Sequence, residues 1–285
     1  MGHPIEKYRL EWRDLEMAGR DYRTPKRLGR IMNNWTRKIR SGDFRAAAKL
    51  ITAIERGDPS AVPILKSLYP YTGRARIIGI TGSTGSGKSS LINGLTTGYR
   101  RLRQRVGILA VDPTSPISGG AILGDRIRMR EHFTDPGVFI RSIASRGAPG
   151  GLPVLVLAEA VHVLDALGMD VVFIETIGVG QDQTAVSSIA RTTVVVLNPT
   201  MGDEVQLLKA GIMEVADLFV VNKADLPGGD TMAIHLSDLS GSERPIPVFK
   251  TSALKQLGID ELIKGLNDLA RKTRQARQPK GTDRR

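Results

Sequence analysis

Between residues 76 and 252 the chain alternates short, nearly continuous Val/Ile/Leu runs with segments of helical periodicity. The runs are RIIGIT (76–81), VGILAVD (106–112), DVVFIET (170–176), TTVVVLN (192–198), DLFVVNK (217–223) and IPVFKTS (246–252). A strand with one wet face alternates apolar and polar residues, whereas a run apolar at almost every position is covered on both faces. Strands separated by helices are joined by crossovers, which makes them parallel. The expected fold is α/β, a mostly parallel, doubly wound sheet sandwiched by helices.

The flanks differ from this centre. In residues 1–75 the stretches WRDLEMAG, LGRIMNNWTRKI and DFRAAAKLITAIERG space their apolar residues by three and four, as helices do. Pro70 and Gly73 punctuate the exit from this region. Residues 271–285, RKTRQARQPKGTDRR, form a polar tail. The expected organisation is an N-terminal helical region (1–75), a nucleotide-binding domain (76–270) and a basic C-terminal tail (271–285).

The formal net charge is +12. Residues 1–75 hold 16 Lys and Arg against 8 Asp and Glu, and residues 271–285 hold 7 against 1. The central region is therefore slightly acidic. With the positive charge on the flanks and no aromatic platform or base-reading motif beside it, nucleic-acid binding is not expected. The most apolar stretch, 152–175, is broken by Glu159, His162, Asp165 and Asp170, so it reads as a buried helix and strand and not as a membrane span. The start is charged throughout and lacks a signal-peptide core, and the chain contains no cysteine. A reducing, cytoplasmic setting is expected.

The first strand leads into Gly82-Ser83-Thr84-Gly85-Ser86-Gly87-Lys88-Ser89, which satisfies G-x-x-x-x-G-K-[ST] and opens a helical segment continuing through Ser90. Glycines let backbone N–H groups converge on phosphate oxygens without Cβ obstruction, and the helix N-terminus adds its positive dipole end. Lys88 supplies a cation for the β- and γ-phosphates, and the Ser89 hydroxyl suits Mg²⁺.

A second motif selects the base. Asn222-Lys223-Ala224-Asp225 ends another buried strand. The Asp225 carboxylate can accept from guanine N1–H and the 2-amino group, whereas adenine would present a lone pair to it. The next strand is followed by Thr251-Ser252-Ala253, and the backbone amides of Ser252, Ala253 and Leu254 can hold the guanine oxygen. GTP, with GDP as product, is the expected nucleotide.

Oxygen ligands for Mg²⁺ are offered by Asp112 in AVDPTSP, Asp125 in ILGDRIRM and Glu175 in FIETIGVGQ. A turn acid at Asp112 and a helix cap at Asp125 are the plain alternatives. Gly178 can donate its N–H to the γ-phosphate, and the polar, flexible stretch beyond it can change shape when that phosphate leaves. Lys88, Asp125 and Gln181 are the candidate catalytic residues. No general base is assigned, because Asp125 and Gln181 could equally be structural.

These motifs coincide with a family. GRARIIGITGSTGSGKSSLIN, VGILAVDPTSPISGGAILGDRIRM, FIRSIASRGAPGGL, DVVFIETIGVGQ and GDEVQLLKAGIMEVADLFVVNKAD resemble the methylmalonyl-CoA mutase-associated GTPases, the MeaB/ArgK group within the SIMIBI class of P-loop GTPases. The resemblance covers roughly residues 45–265. It implies a P-loop GTPase fold and a chaperone that binds an adenosylcobalamin-dependent acyl-CoA mutase, gates its cofactor loading and protects or reactivates it. It also implies a homodimer, a metal and switch role for Asp112, Asp125 and Glu175, and a switch over Gly180 to Ser188. Members usually carry a longer helical C-terminal extension, where this chain passes from LGIDELIKGLNDLA into its basic tail. Two other readings compete. A nickel-delivery GTPase needs thiolate or clustered imidazole ligands, and His3, His132, His162 and His235 are scattered. A transport-linked ATPase or kinase conflicts with the guanine-type NKAD motif.

Overall fold

The structure, a computed structural model, describes residues 26–112, 129–145, 153–176, 182–200, 213–239 and 245–276. Seven strands form one sheet among these residues: β1 (Arg76–Thr81), β2 (Val106–Asp112), β3 (Val138–Ala144), β4 (Val171–Glu175), β5 (Thr192–Leu197), β6 (Leu218–Val221) and β7 (Val248–Lys250). Their order is β3-β2-β4-β1-β5-β6-β7 and every pairing is parallel. β1 is thus the middle strand, with β4 on one side and β5 on the other.

Six strands match the apolar runs. β3 does not, because Arg141 and Ser142 interrupt it. It is an edge strand, where a polar residue can find a partner beside the sheet. Arg141 leans over α2 (Phe44–Glu55), donating to Thr52 Oγ1 at 2.9 Å and pairing with Glu55.

Helices cover both faces. On one lie α1 (Lys26–Arg40), α2, α3 (Ala61–Leu68), α5 (Val154–Ala166) and α6 (Asp182–Ile189). Ile51, Leu65 and Leu68 share a single apolar cluster with Leu109, Leu164 and Ile174, so the N-terminal helices and the sheet have a common core. Asp43 caps α2, accepting from Arg45 N–H at 2.9 Å and Ala46 N–H at 3.0 Å. Such a cap contributes about 1 kcal/mol. The buried Asp165 carboxylate accepts the backbone N–H groups of Gly73, Arg74 and Ala75, fixing the entry to β1. On the other face α4 (Lys88–Arg101) and α8 (Ile259–Ala276) cover Ile78, Ile80, Ile108 and Phe173. α8 runs past residue 270, into the stretch expected to be tail. α7 (Gly229–Leu239) packs Leu236 against Phe219 and Val221.

α6 differs from expectation. Residues 180–188 read as a flexible stretch, yet Asp182–Ile189 is helical, with Val186 and Ile189 in the core. β1 carries glycine at position 79 where Val186 approaches; a Cβ there would sit 2.8 Å from a Val186 methyl. The expected helix WRDLEMAG lies outside the described residues.

Candidate nucleotide site

The carboxyl end of β1 carries the phosphate loop. Gly82 has φ +138° and Gly87 has φ +92°, both in the region that favours glycine. A Cβ on Gly82 would collide with the Val196 carbonyl, and one on Gly87 with the Asn222 amide. α4 begins directly after Gly87 with no side-chain cap, which leaves its first N–H groups directed at the loop. Lys88 is only 6% exposed, and its Nζ donates to Gly82 O at 2.9 Å and Ser83 O at 3.0 Å. The loop thus holds a buried cation over its own rim. Ser86 Oγ is buried and makes no hydrogen bond among the described residues. Thr84 and Gly85 are exposed, and Ser90 is half-buried on α4.

Two acids stand on the α4 side. Glu175 is paired in register with Ala110, two residues before Asp112. Because side chains alternate along a strand, Glu175 and Asp112 continue the face that carries Phe173 and Ile108. Both are buried. Ser89 Oγ donates to Glu175 Oε1 at 2.6 Å, joining the first turn of α4 to the end of β4. Thr176 Oγ1, the next side chain, donates to Thr81 Oγ1 at 3.1 Å.

The base motif is built against the loop. Asn222, 1% exposed, donates through Nδ2 to Ser86 O at 2.9 Å. Its Oδ1 accepts from Thr251 Oγ1 and from Ala253 N–H, both at 3.2 Å. Lys223 adopts φ +57° and its Nζ donates to Gly85 O at 2.9 Å. Ser252 N–H already donates to Leu257 O at 3.0 Å. Two of the three amides expected to face guanine are therefore engaged, while Leu254 is 89% exposed. Asp225 pairs with Lys255 at 2.8 Å. That contact, with a hydrogen bond from Ser252, holds its carboxyl down to about 2.

Asp125, Gly178 and Gln181 lie outside the described residues. Sequence reasoning passed over Asn198 and Lys255. Asn198 is buried at the end of β5, next to β1, and Nδ2 donates to Gly85 O at 3.2 Å. Its signal was available: like Glu175, it is a polar residue closing a fully apolar strand.

The family model described as "Methylmalonyl Co-A mutase-associated GTPase MeaB" matches residues 47–285. The chain belongs to the MeaB family. The match reaches Arg285, beyond the stretch whose resemblance was legible in sequence. A Pyrococcus horikoshii protein with a provisional GTPase name is 49% identical over 234 residues, 79% of this chain and 73% of that protein. The protein named GTPase ArgK in Escherichia coli is 34% identical over 245 residues, 81% of this chain and 74% of its own. A solved structure titled as a LAO/AO transport system kinase superposes with TM-score 0.68 at 27% identity, covering 87% of this chain and 79% of that one. Like its MeaB relatives, the chain is a P-loop GTPase, and its seven-stranded parallel sheet with flanking helices is that fold. No helix among the described residues is long and apolar enough to cross a membrane.

Proposed function

We propose that this chain is a GTP-hydrolysing chaperone that assists cofactor loading, protection or reactivation of an adenosylcobalamin-dependent acyl-CoA mutase such as methylmalonyl-CoA mutase. The observation that carries the reading is the mutase-associated GTPase family match across residues 47–285, lying over a loop shaped for a nucleotide. The reading includes a homodimer and a cytoplasmic setting, without a membrane or nucleic-acid partner.

In this reading the amides and hydroxyls of Gly82 to Ser90 cradle the phosphates, and Lys88 turns from the loop carbonyls toward the β- and γ-oxygens. Asp225 exchanges Lys255 for the N1–H and 2-amino donors of guanine. The Leu254 N–H is the one left of its trio to meet the guanine oxygen, with Ser252 and Ala253 holding that turn in place. Asn222 and Lys223 brace the phosphate loop. Ser89, Asp112 and Glu175 supply a hydroxyl and two buried carboxylates, a donor set that fits a hard cation retaining several waters. Asp125 is assigned to the same group. Mg²⁺ held there supplies charge neutralisation for the phosphoryl group. Gly178 is assigned to sensing the γ-phosphate, and Gln181 to the switch that follows it.

α6 is anchored in the core by Val186 and Ile189, and in this reading it receives the nucleotide signal from Gly178. The test is GTP hydrolysis by the wild type and by a Gln181→Ala/Asp182→Ala double variant, with and without the client mutase. Intact basal turnover with lost stimulation supports the reading; stimulation equal to wild type refutes the switch. Retention of a cobalamin enzyme by the GTP-analogue-bound protein tests the partner. Calorimetry with nickel and with ATP tests the metal-delivery and transport-kinase alternatives.

A further inference from the structure

The opposite end of the sheet carries a cleft of about 700 Å³ at the amino ends of β1 and β5. Arg74, Arg76, Arg191 and Arg271 line it, and among the described residues no Asp or Glu does. Its volume is that of a small-molecule site. We propose that this cleft is a second ligand site, taking a phosphorylated small molecule.

Arg76 is the strongest reason. It is half-buried at the first position of β1. Nη1 donates to Asn267 Oδ1 and Nη2 to Gln104 Oε1, and its guanidinium carbon lies 5.1 Å from the centroid of the Tyr99 ring. Both hydrogen-bond partners are neutral amides. They fix the direction of the guanidinium without cancelling its charge. Two other partly buried arginines are held by carboxylates instead: Arg100 by Asp135 at 2.9 Å, and Arg141 by Glu55. A guanidinium has five N–H donors, and among the described residues two of those of Arg76 find hydrogen-bond partners. The planar fork suits bidentate phosphate contact.

The neighbours add to the same field. Arg74 is exposed. Arg271 has a carboxylate near it, Asp268 at 3.6 Å, but that pair is exposed, and Asp268 is not among the described residues lining the cleft. Such surface pairs neutralise little. Arg191 is tied to β1 by its own N–H, which donates to Ile77 O at 2.9 Å. Several guanidinium groups around one cavity match a diphosphate or larger anion better than a single carboxylate. A concave cavity of this size selects a small molecule over a nucleic-acid strand, which needs an extended track.

The site is separate from the phosphate loop. Arg76 begins β1 and Gly82 follows its end, so the strand's length lies between them. The P-loop must therefore be filled before the cleft is probed. The experiment loads the full chain with one equivalent of GDP and Mg²⁺, removes the excess, and titrates inorganic pyrophosphate by calorimetry. One equivalent is expected to bind. Arg74→Ala with Arg271→Ala should weaken binding by about tenfold or more, since hydrogen bonds to charged groups are lost. Arg45→Ala with Lys49→Ala removes the same charge from an exposed part of α2 and should leave binding unchanged. Absence of binding to the wild type, equal weakening by both double variants, or sulfate binding as tightly as pyrophosphate would overturn the proposal.

Discussion

Asn222 and Ser86 are joined by a 2.9 Å hydrogen bond from the asparagine Nδ2 to the serine carbonyl. The same side chain receives Ala253 N–H at 3.2 Å, so one buried amide ties the phosphate loop to the segment after β7. Asn222→Ala would leave those backbone groups without their partner, a penalty of ~1–3 kcal/mol. GTP affinity should fall by roughly 10–100-fold, read by fluorescence titration. Gly87→Ala should weaken GTP binding as well, because its Cβ meets that amide at φ +92°.

Asp225 governs base choice. Asp225→Asn should lose GTP affinity and gain xanthine nucleotide, because the amide can pair with the exchanged oxygen at position 2. Full GTP affinity in the variant would refute the assignment.

The pairing of Asp225 with Lys255 has a pH signature. The carboxyl is lowered from 3.8 to about 2 in the folded chain, so its contribution to stability is present above the unfolded value and lost as pH falls through about 2. Lys255→Met should bring the carboxyl back toward its ordinary range, as followed by carbon-detected NMR titration.

Lys88→Ala removes the cation that now bridges Gly82 O and Ser83 O. Turnover in a phosphate-release assay should drop by at least ~10²–10³-fold, the scale of losing one charge-stabilising donor. Wild-type turnover would take Lys88 out of the chemistry.

Tyr99 lies fully buried on α4 and its hydroxyl makes no hydrogen bond among the described residues. Burial pushes that hydroxyl up to about 12. A raised folded value gives stability that is present below the ordinary value near 10 and lost as pH rises to about 12. Tyr99→Phe should be neutral or stabilising at pH 7, because it removes an unsatisfied polar group. It should also flatten the alkaline limb of the melting curve between pH 10 and 12.

Five of the seven strands were legible because burial on both faces writes itself as unbroken Val/Ile/Leu, and β7, half-buried at the edge, was legible from its short Val248-Phe249 core. β3 escaped because Arg141, which breaks its apolar run, is satisfied by α2, a partner that no local pattern reveals. The phosphate and base motifs were legible as spacing, since backbone cradles demand glycine and guanine demands a carboxylate. What spacing does not carry is which side chain braces which loop. Asn198 and Lys223 converge on the Gly85 carbonyl from strands β5 and β6, a meeting fixed only by strand order. The helicity of Asp182–Ile189 was likewise hidden, because Val186 and Ile189 are the only large apolar residues in its sequence and the rest reads as loop.

The common core of the N-terminal helices and the sheet has a practical meaning for anyone cutting the gene. Expression begun at Arg76 would deliver a phosphate loop on a sheet whose α5 and β3 lack the cover of α2 and α3, and such a product should aggregate. A protease nick within residues 69–75 is a milder injury. The covalent link would be gone, but the aliphatic contacts and the Arg141–Glu55 clasp would remain, so the two fragments should travel together through a sizing column.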